Sequence, residues 1–123
     1  MTTSFKQLYV WQKAYEYCLL VYKVSTQFPD FEKYGLRSQF TRAAVSITAN
    51  IAEGYGKISK ADKLRFFNIA QGSLDECRCY NQLSFDLAYI SVEDYNQLEY
   101  LINGTSKMLN SYCEAIIQNK AID

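Results

Sequence analysis

The 123-residue chain has no histidine and only one proline, and its thirteen Lys and Arg residues are balanced by thirteen Asp and Glu. The missing imidazole removes Ser-His-Asp and Cys-His catalysis, and also the Glu-x-x-His pairs of di-metal carboxylate bundles. Zero formal charge argues against a surface that is basic all over and traps nucleic acid or anionic lipid. No segment approaches the roughly 18–20 uninterrupted apolar residues of a bilayer span. The opening Met1-Thr2-Thr3-Ser4-Phe5-Lys6 has neither the charged nor the apolar region of a secretory leader, so a cytoplasmic protein without membrane contact is expected. Cys18, Cys77, Cys79 and Cys113 are then expected to be reduced. Cys77 and Cys79 stand about 200° apart around a helix and have no histidine to complete a zinc site. The expectation is no metal and no cofactor.

What is present is helical periodicity. Apolar residues make up 49 % of the chain, eleven Tyr and seven Phe among them, which suits one domain over residues 1–123 with a single core. The spacing predicts a first helix from about Gln7 to Thr26, with Leu8, Trp11, Tyr15, Cys18 and Tyr22 on one line. Pro29 ends it, because the residue before a proline avoids helical geometry. A second helix begins near Gly35, carries Leu36, Phe40, Ala43, Ile47 and Ile51, and stops at Gly54-Tyr55-Gly56. Ser59 with Asp62 forms a start signal for the third helix, which runs to about Leu87. That helix has two apolar lines, Phe67, Ala70, Leu74 and Cys77 on one and Phe66, Ile69, Tyr80, Leu83 and Leu87 on the other. Ser91 with Asp94 repeats the signal for a fourth helix through Leu98, Leu101, Thr105, Met108, Leu109, Tyr112 and Ile116. Long helices with short links predict an all-α, antiparallel up-down-up-down four-helix bundle. The second line on helix three exceeds what a lone bundle needs.

Few residues offer chemistry. Asp75 and Glu76 are neighbours on a helix and point about 100° apart, which makes a shared proton difficult. Gly54-Tyr55-Gly56-Lys57-Ile58-Ser59 lacks a preceding strand and the spacing of a phosphate loop. No enzymatic activity is expected. The most suggestive feature is a polar stripe on helix two, Gln39, Arg42, Ser46, Asn50 and Glu53, at three or four residue spacing. It reads as a wet flank or as a seam docked on a neighbouring helix or subunit. Lys57, Lys60, Lys63 and Arg65 gather around the next turn, and Lys6, Lys13 and Lys120 are expected at the same end near Tyr55 and Phe66, a surface for RNA, DNA or an acidic partner. Helix four is acidic, with Glu93, Asp94, Glu99 and Glu114 against Lys107. Such separation of charge suits head-to-tail docking of helix four on helix one or two of a neighbour.

Several strings carry a resemblance: Val10-Trp11-Gln12-Lys13-Ala14, Tyr34-Gly35-Leu36, Arg42-Ala43-Ala44-Val45-Ser46-Ile47, Asn50-Ile51-Ala52-Glu53-Gly54, and Ala70-Gln71-Gly72-Ser73-Leu74 with Glu76. Over residues 8 to 117 the chain resembles the four-helix-bundle proteins of the 23S rRNA intervening-sequence family. The resemblance implies a bacterial protein of four antiparallel helices that assembles into a ring, typically a homopentamer, with no established enzymatic activity. Related accessory proteins of diversity-generating retroelements are similar in fold, bind nucleic acid and work with a reverse transcriptase, so RNA, DNA or a reverse-transcriptase-like protein is the kind of partner implied. The family's motif residues fall at Gln39, Arg42, Ser46, Asn50, Glu53 and Gly54, then at Ser73 and Glu76. They include the whole polar stripe and favour the docked seam. Lys57 stands where arginine is common in the family.

Overall fold

The computed structural model describes residues 4–119. Four long helices make the architecture: α1 (Tyr9–Ser25), α2 (Leu36–Gly56), α3 (Lys60–Asp86) and α4 (Val92–Ile117). Short 3-10 turns lie at Phe5–Gln7 and Asp30–Glu32, and the described residues contain no strand. The capping signals operate as their chemistry dictates. Ser59 Oγ accepts from the Asp62 amide at 3.2 Å, and Ser91 Oγ accepts from the Asp94 amide at 3.1 Å. α1 starts later than its periodicity predicts, because Leu8 adopts extended backbone and buries itself completely between the 3-10 turn and the helix.

α2 has an N-terminal partner that the sequence pattern does not announce. Glu32 Oε1 accepts from the Leu36 amide at 3.0 Å, while its Oε2 accepts from the Tyr89 hydroxyl at 2.9 Å. One carboxylate thus ties the α1–α2 link to the α3–α4 link. At the other end of α2, Lys63 Nζ donates to the Tyr55 carbonyl at 2.8 Å and to the Gly54 carbonyl at 3.4 Å. It adds a cation at the carbonyl end of the helix, where the Lys57 amide also donates to the Gly54 carbonyl at 3.2 Å.

α2 packs on α1 and α3, and α4 also packs on α1 and α3. The α2 line is buried throughout, as is the first α3 line through Phe67, Ala70, Leu74 and Cys77. On α4 only Met108 of the expected line is exposed. α1 departs in part from the expected face, with Leu8 and Cys18 buried and the tyrosines of the line exposed. Val10, Ala14, Tyr17, Val21 and Val24 point inward, whereas Tyr15 and Tyr22 are 44 % and 50 % exposed. Both lines on α1 recur at three and four residues, so periodicity alone does not choose between them. Apart from Tyr17, the inward residues are small or β-branched, and the half-buried Trp11 stacks on the exposed Tyr15, with ring centroids 4.8 Å apart.

A polar brace crosses the interior. The Tyr17 hydroxyl donates to Asn81 Oδ1 at 2.6 Å, and Asn81 Nδ2 donates to Glu99 Oε2 at 2.8 Å, joining α1, α3 and α4. Burial raises the Tyr17 phenol well above its ordinary value. Burial also pushes the neighbouring Cys77 thiol up to about 12, so Cys77 behaves at neutral pH as a small apolar core residue.

At Gly54 a side chain of α3 lies directly against the backbone of α2. A Cβ added there stands 2.5 Å from Cε1 of Phe67, whose ring is fully buried. Gly54→Ala is therefore expected to lower the urea midpoint, with a loss of about 1–3 kcal/mol from overpacking. Gly72→Ala meets open space and is expected to gain about 0.5–1 kcal/mol from helix propensity. Equal effects of the two substitutions contradict the close approach.

Candidate functional site

The polar stripe of α2 meets α3 along a seam built on short side chains. Ser73 Oγ donates to Ser46 Oγ at 2.7 Å, and Asn50 Nδ2 donates to the same Ser46 oxygen at 3.0 Å and to the Ser46 carbonyl at 2.8 Å. Ser73 is buried and Ser46 and Asn50 are half-buried, so the hydrogen bonds offset what their burial costs. Beside them opens a groove of about 420 Å³, lined by Gln39, Arg42, Ala43 and Ser46 from α2 and by Ser73, Glu76 and Tyr80 from α3. The structure thus brings together Gln39, Arg42, Ser46, Ser73 and Glu76, with Asn50 one turn further along the seam.

Glu53 stands apart from this group. It is exposed, pairs with Lys57 at 3.5 Å, and borders a separate hollow with Ala49, Ala52 and Gly56. Tyr80 is the groove residue that the polar pattern misses. It lies one turn beyond Glu76, and its phenol is raised, first by desolvation and then by the Glu76 charge. Arg42 and Glu76 line opposite walls of the groove, yet neither belongs to an ion pair among the described residues. Within those residues no group of three or more His, Cys, Asp or Glu side chains could hold a metal ion. No described helix is long and apolar enough to cross a membrane.

The cationic end between α2 and α3 has a definite internal order. Lys57 Nζ stands 5.1 Å, and the Arg65 guanidinium 4.7 Å, from the centre of the Phe66 ring. Arg65 also approaches Asp62 at 3.8 Å. Lys63 sits over the Tyr55 ring at 5.6 Å while it caps α2, and desolvation holds its ammonium below the ordinary lysine value. Lys60 is exposed at the first position of α3. Lys13 lies elsewhere, against Gly104 and over the Tyr100 ring of α4. Lys120 falls outside the described residues.

The family model of the 23S rRNA-intervening sequence protein matches residues 6–111, which contain the whole α2–α3 seam. The chain belongs to this family. Among solved structures, the family member is similar to a protein of unknown function from the S23 ribosomal protein family of Bacteroides thetaiotaomicron. That similarity has a TM-score of 0.78 at 25 % identity, and it covers 85 % of this chain and 95 % of the other. No curated protein matches the chain.

The seam of this 23S rRNA-intervening sequence protein makes a stability prediction. Ser46→Ala removes the acceptor of a buried hydroxyl and is expected to cost about 1–2 kcal/mol. Glu53→Gln breaks only an exposed ion pair and is expected to change stability by less than about 0.5 kcal/mol. Denaturant titration of both variants checks the contrast, and a larger loss for Glu53→Gln contradicts it.

Proposed function

We propose that this family member is a non-enzymatic, cytoplasmic scaffold that assembles with copies of itself, as a ring of five, and serves as an accessory factor in an RNA-related process. The observation that carries the reading is the surplus apolar surface. Tyr15, Leu19 and Tyr22 on α1, and Ile69, Leu83 and Leu87 on α3, are all between 42 % and 54 % exposed. Completing the burial of one such side chain contributes on the order of 1 kcal/mol, and lines of this kind mark association surfaces. Five subunits and a reverse-transcriptase-like protein partner are what the family resemblance implies. A ring repeats each weak patch, so a partner engages several at once and binds avidly.

Within each subunit the helices alternate in direction, up-down-up-down. The pairs Phe67–Tyr112, Gln71–Asn110, Arg78–Asn103 and Asn81–Glu99 support this arrangement, since α3 numbers rise as α4 numbers fall. Ser46–Ser73 and Gly54–Phe67 do the same for α2 and α3. Light scattering at micromolar concentration is expected to report about 71 kDa, five times the 14.2 kDa chain. A stable 14.2 kDa particle overturns the reading.

A second reading, direct binding of RNA or DNA by the α2–α3 end, is favoured by the gathering of Lys57, Lys60, Lys63 and Arg65 around the Tyr55 and Phe66 rings. Cations interleaved with aromatic rings suit a flexible, unpaired strand. Under this reading, retention of a single-stranded RNA falls steeply with salt, and changing all four cations to glutamine flattens the slope. Equal retention by the wild type and the fourfold variant retires it.

A further inference from the structure

We propose that the α2–α3 groove receives the outer face of α1 from a second copy of this chain. This inference rests on the self-assembly reading above and assigns its two contacting surfaces. The donor surface is a ridge. Trp11, stacked on Tyr15, then Leu19 and Tyr22 follow one another at three and four residue spacing. They cover about 16 Å of helix at 1.5 Å per residue. Ring stacking holds the leading part of the ridge in one shape before any partner arrives, so less side-chain entropy is lost on docking.

The receiving surface is the groove between Arg42 on α2 and Glu76 and Tyr80 on α3, and the exposed Ile69 and Leu83 extend the apolar line of α3 on either side. The groove's small polar groups, Ser46 and Ser73, are already bonded to each other. Two solvent-exposed charges flank them, Arg42 and Glu76. Arg42 and Glu76 have no ion-pair partner among the described residues, where the ion pairs are Lys57–Glu53, Arg65–Asp62 and Arg78–Asp75. The flank of the α1 ridge carries Glu16 and Lys23, equally without one. Each surface therefore presents one charge of each sign.

The separations agree. Glu16 and Lys23 are two turns apart, about 10 Å, and neighbouring helices such as α2 and α3 lie about 8–10 Å axis to axis. A second copy's α1 that crosses the groove obliquely sets its Glu16 over Arg42 and its Lys23 over Glu76. Other occupants fit less well. Nucleic acid and acidic peptides meet the Glu76 carboxylate, and the exposed Val92, Tyr100 and Ile117 on the outer side of α4 are interrupted by Asn96, Asn103, Lys107, Asn110 and Glu114, so they form no continuous ridge. Ridge and groove lie on different faces of the subunit, so the contact is heterologous. Each copy then donates to one neighbour and receives from another, and the chain of copies closes into a ring where the rotation between neighbours closes.

Sedimentation velocity on the full chain tests the assignment, with circular dichroism confirming an unchanged helical signal. Leu19→Glu and Arg42→Glu are each expected to shift the oligomer to monomer. Adding Glu16→Arg to Arg42→Glu is expected to restore association at least tenfold over Arg42→Glu alone. Because Glu16, Leu19 and Arg42 are exposed, loss of assembly is separable from loss of fold. A wild-type oligomer that survives both single substitutions overturns this interface while leaving self-assembly standing. Dissociation by Arg42→Glu without rescue overturns the pairing. A wild-type monomer removes the self-assembly reading together with the interface.

Discussion

Gly54 lets the Phe67 ring lie against the backbone of α2, where one added methyl group would stand 2.5 Å from the ring. The rest of the α2–α3 contact follows from that closeness. Along the middle of the contact small residues alternate with rings, Ala43, Ser46, Ala70 and Ser73 between the Gly54–Phe67 and Phe40–Tyr80 contacts. Once the two serines are removed from water they must bond each other, and they do so at 2.7 Å. Lys63 completes the joint by capping the end of α2 from the first turn of α3. Larger residues on both helices are displaced to the flanks of the seam, where Arg42, Glu76 and Tyr80 leave a groove. A close joint therefore produces an outward surface.

The other two helices are tied to this pair by different means. The Tyr17–Asn81–Glu99 chain fixes α1 and α4 to α3 through directional bonds. Such a chain tolerates little sliding, since displacement leaves a buried donor or acceptor unpaired. Glu32 performs a related task at one end by bonding both Leu36 and Tyr89. Helix register is thus set by polar contacts, while the apolar core supplies the non-directional attraction. Because α1 turns Val10, Ala14, Tyr17, Val21 and Val24 inward, Trp11, Tyr15, Leu19 and Tyr22 form a ridge outside, and the subunit carries a ridge and a groove on different faces.

Local chemistry was the most legible part of the sequence. Ser59 and Ser91 mark helix starts because a hydroxyl followed by an acidic side chain three residues later answers free backbone donors, and the α2 line reads inward because its alternative face is polar. α1 was legible as a helix but not in its orientation, since Trp11, Tyr15 and Tyr22 are as apolar as the residues that do face the core. The seam was visible as a stripe of polar residues, yet spacing did not separate Glu53, which turns to Lys57, from the groove residues. Tyr80 was hidden among apolar positions. The Glu32–Tyr89 bond and the role of Asn81 were invisible, because both act across a large sequence separation that no local pattern encodes.

Amide hydrogen exchange under native conditions tests most directly the central claim that the α2–α3 joint is the rigid frame of the subunit. The amides of Ile47, Ile51, Ala70 and Leu74 are expected to exchange last, at the rate of global unfolding, and those of α1 and α4 to open earlier. Exchange of the α2 and α3 amides by local opening while α1 or α4 stays protected contradicts it, because the groove between α2 and α3 is then not a preformed surface.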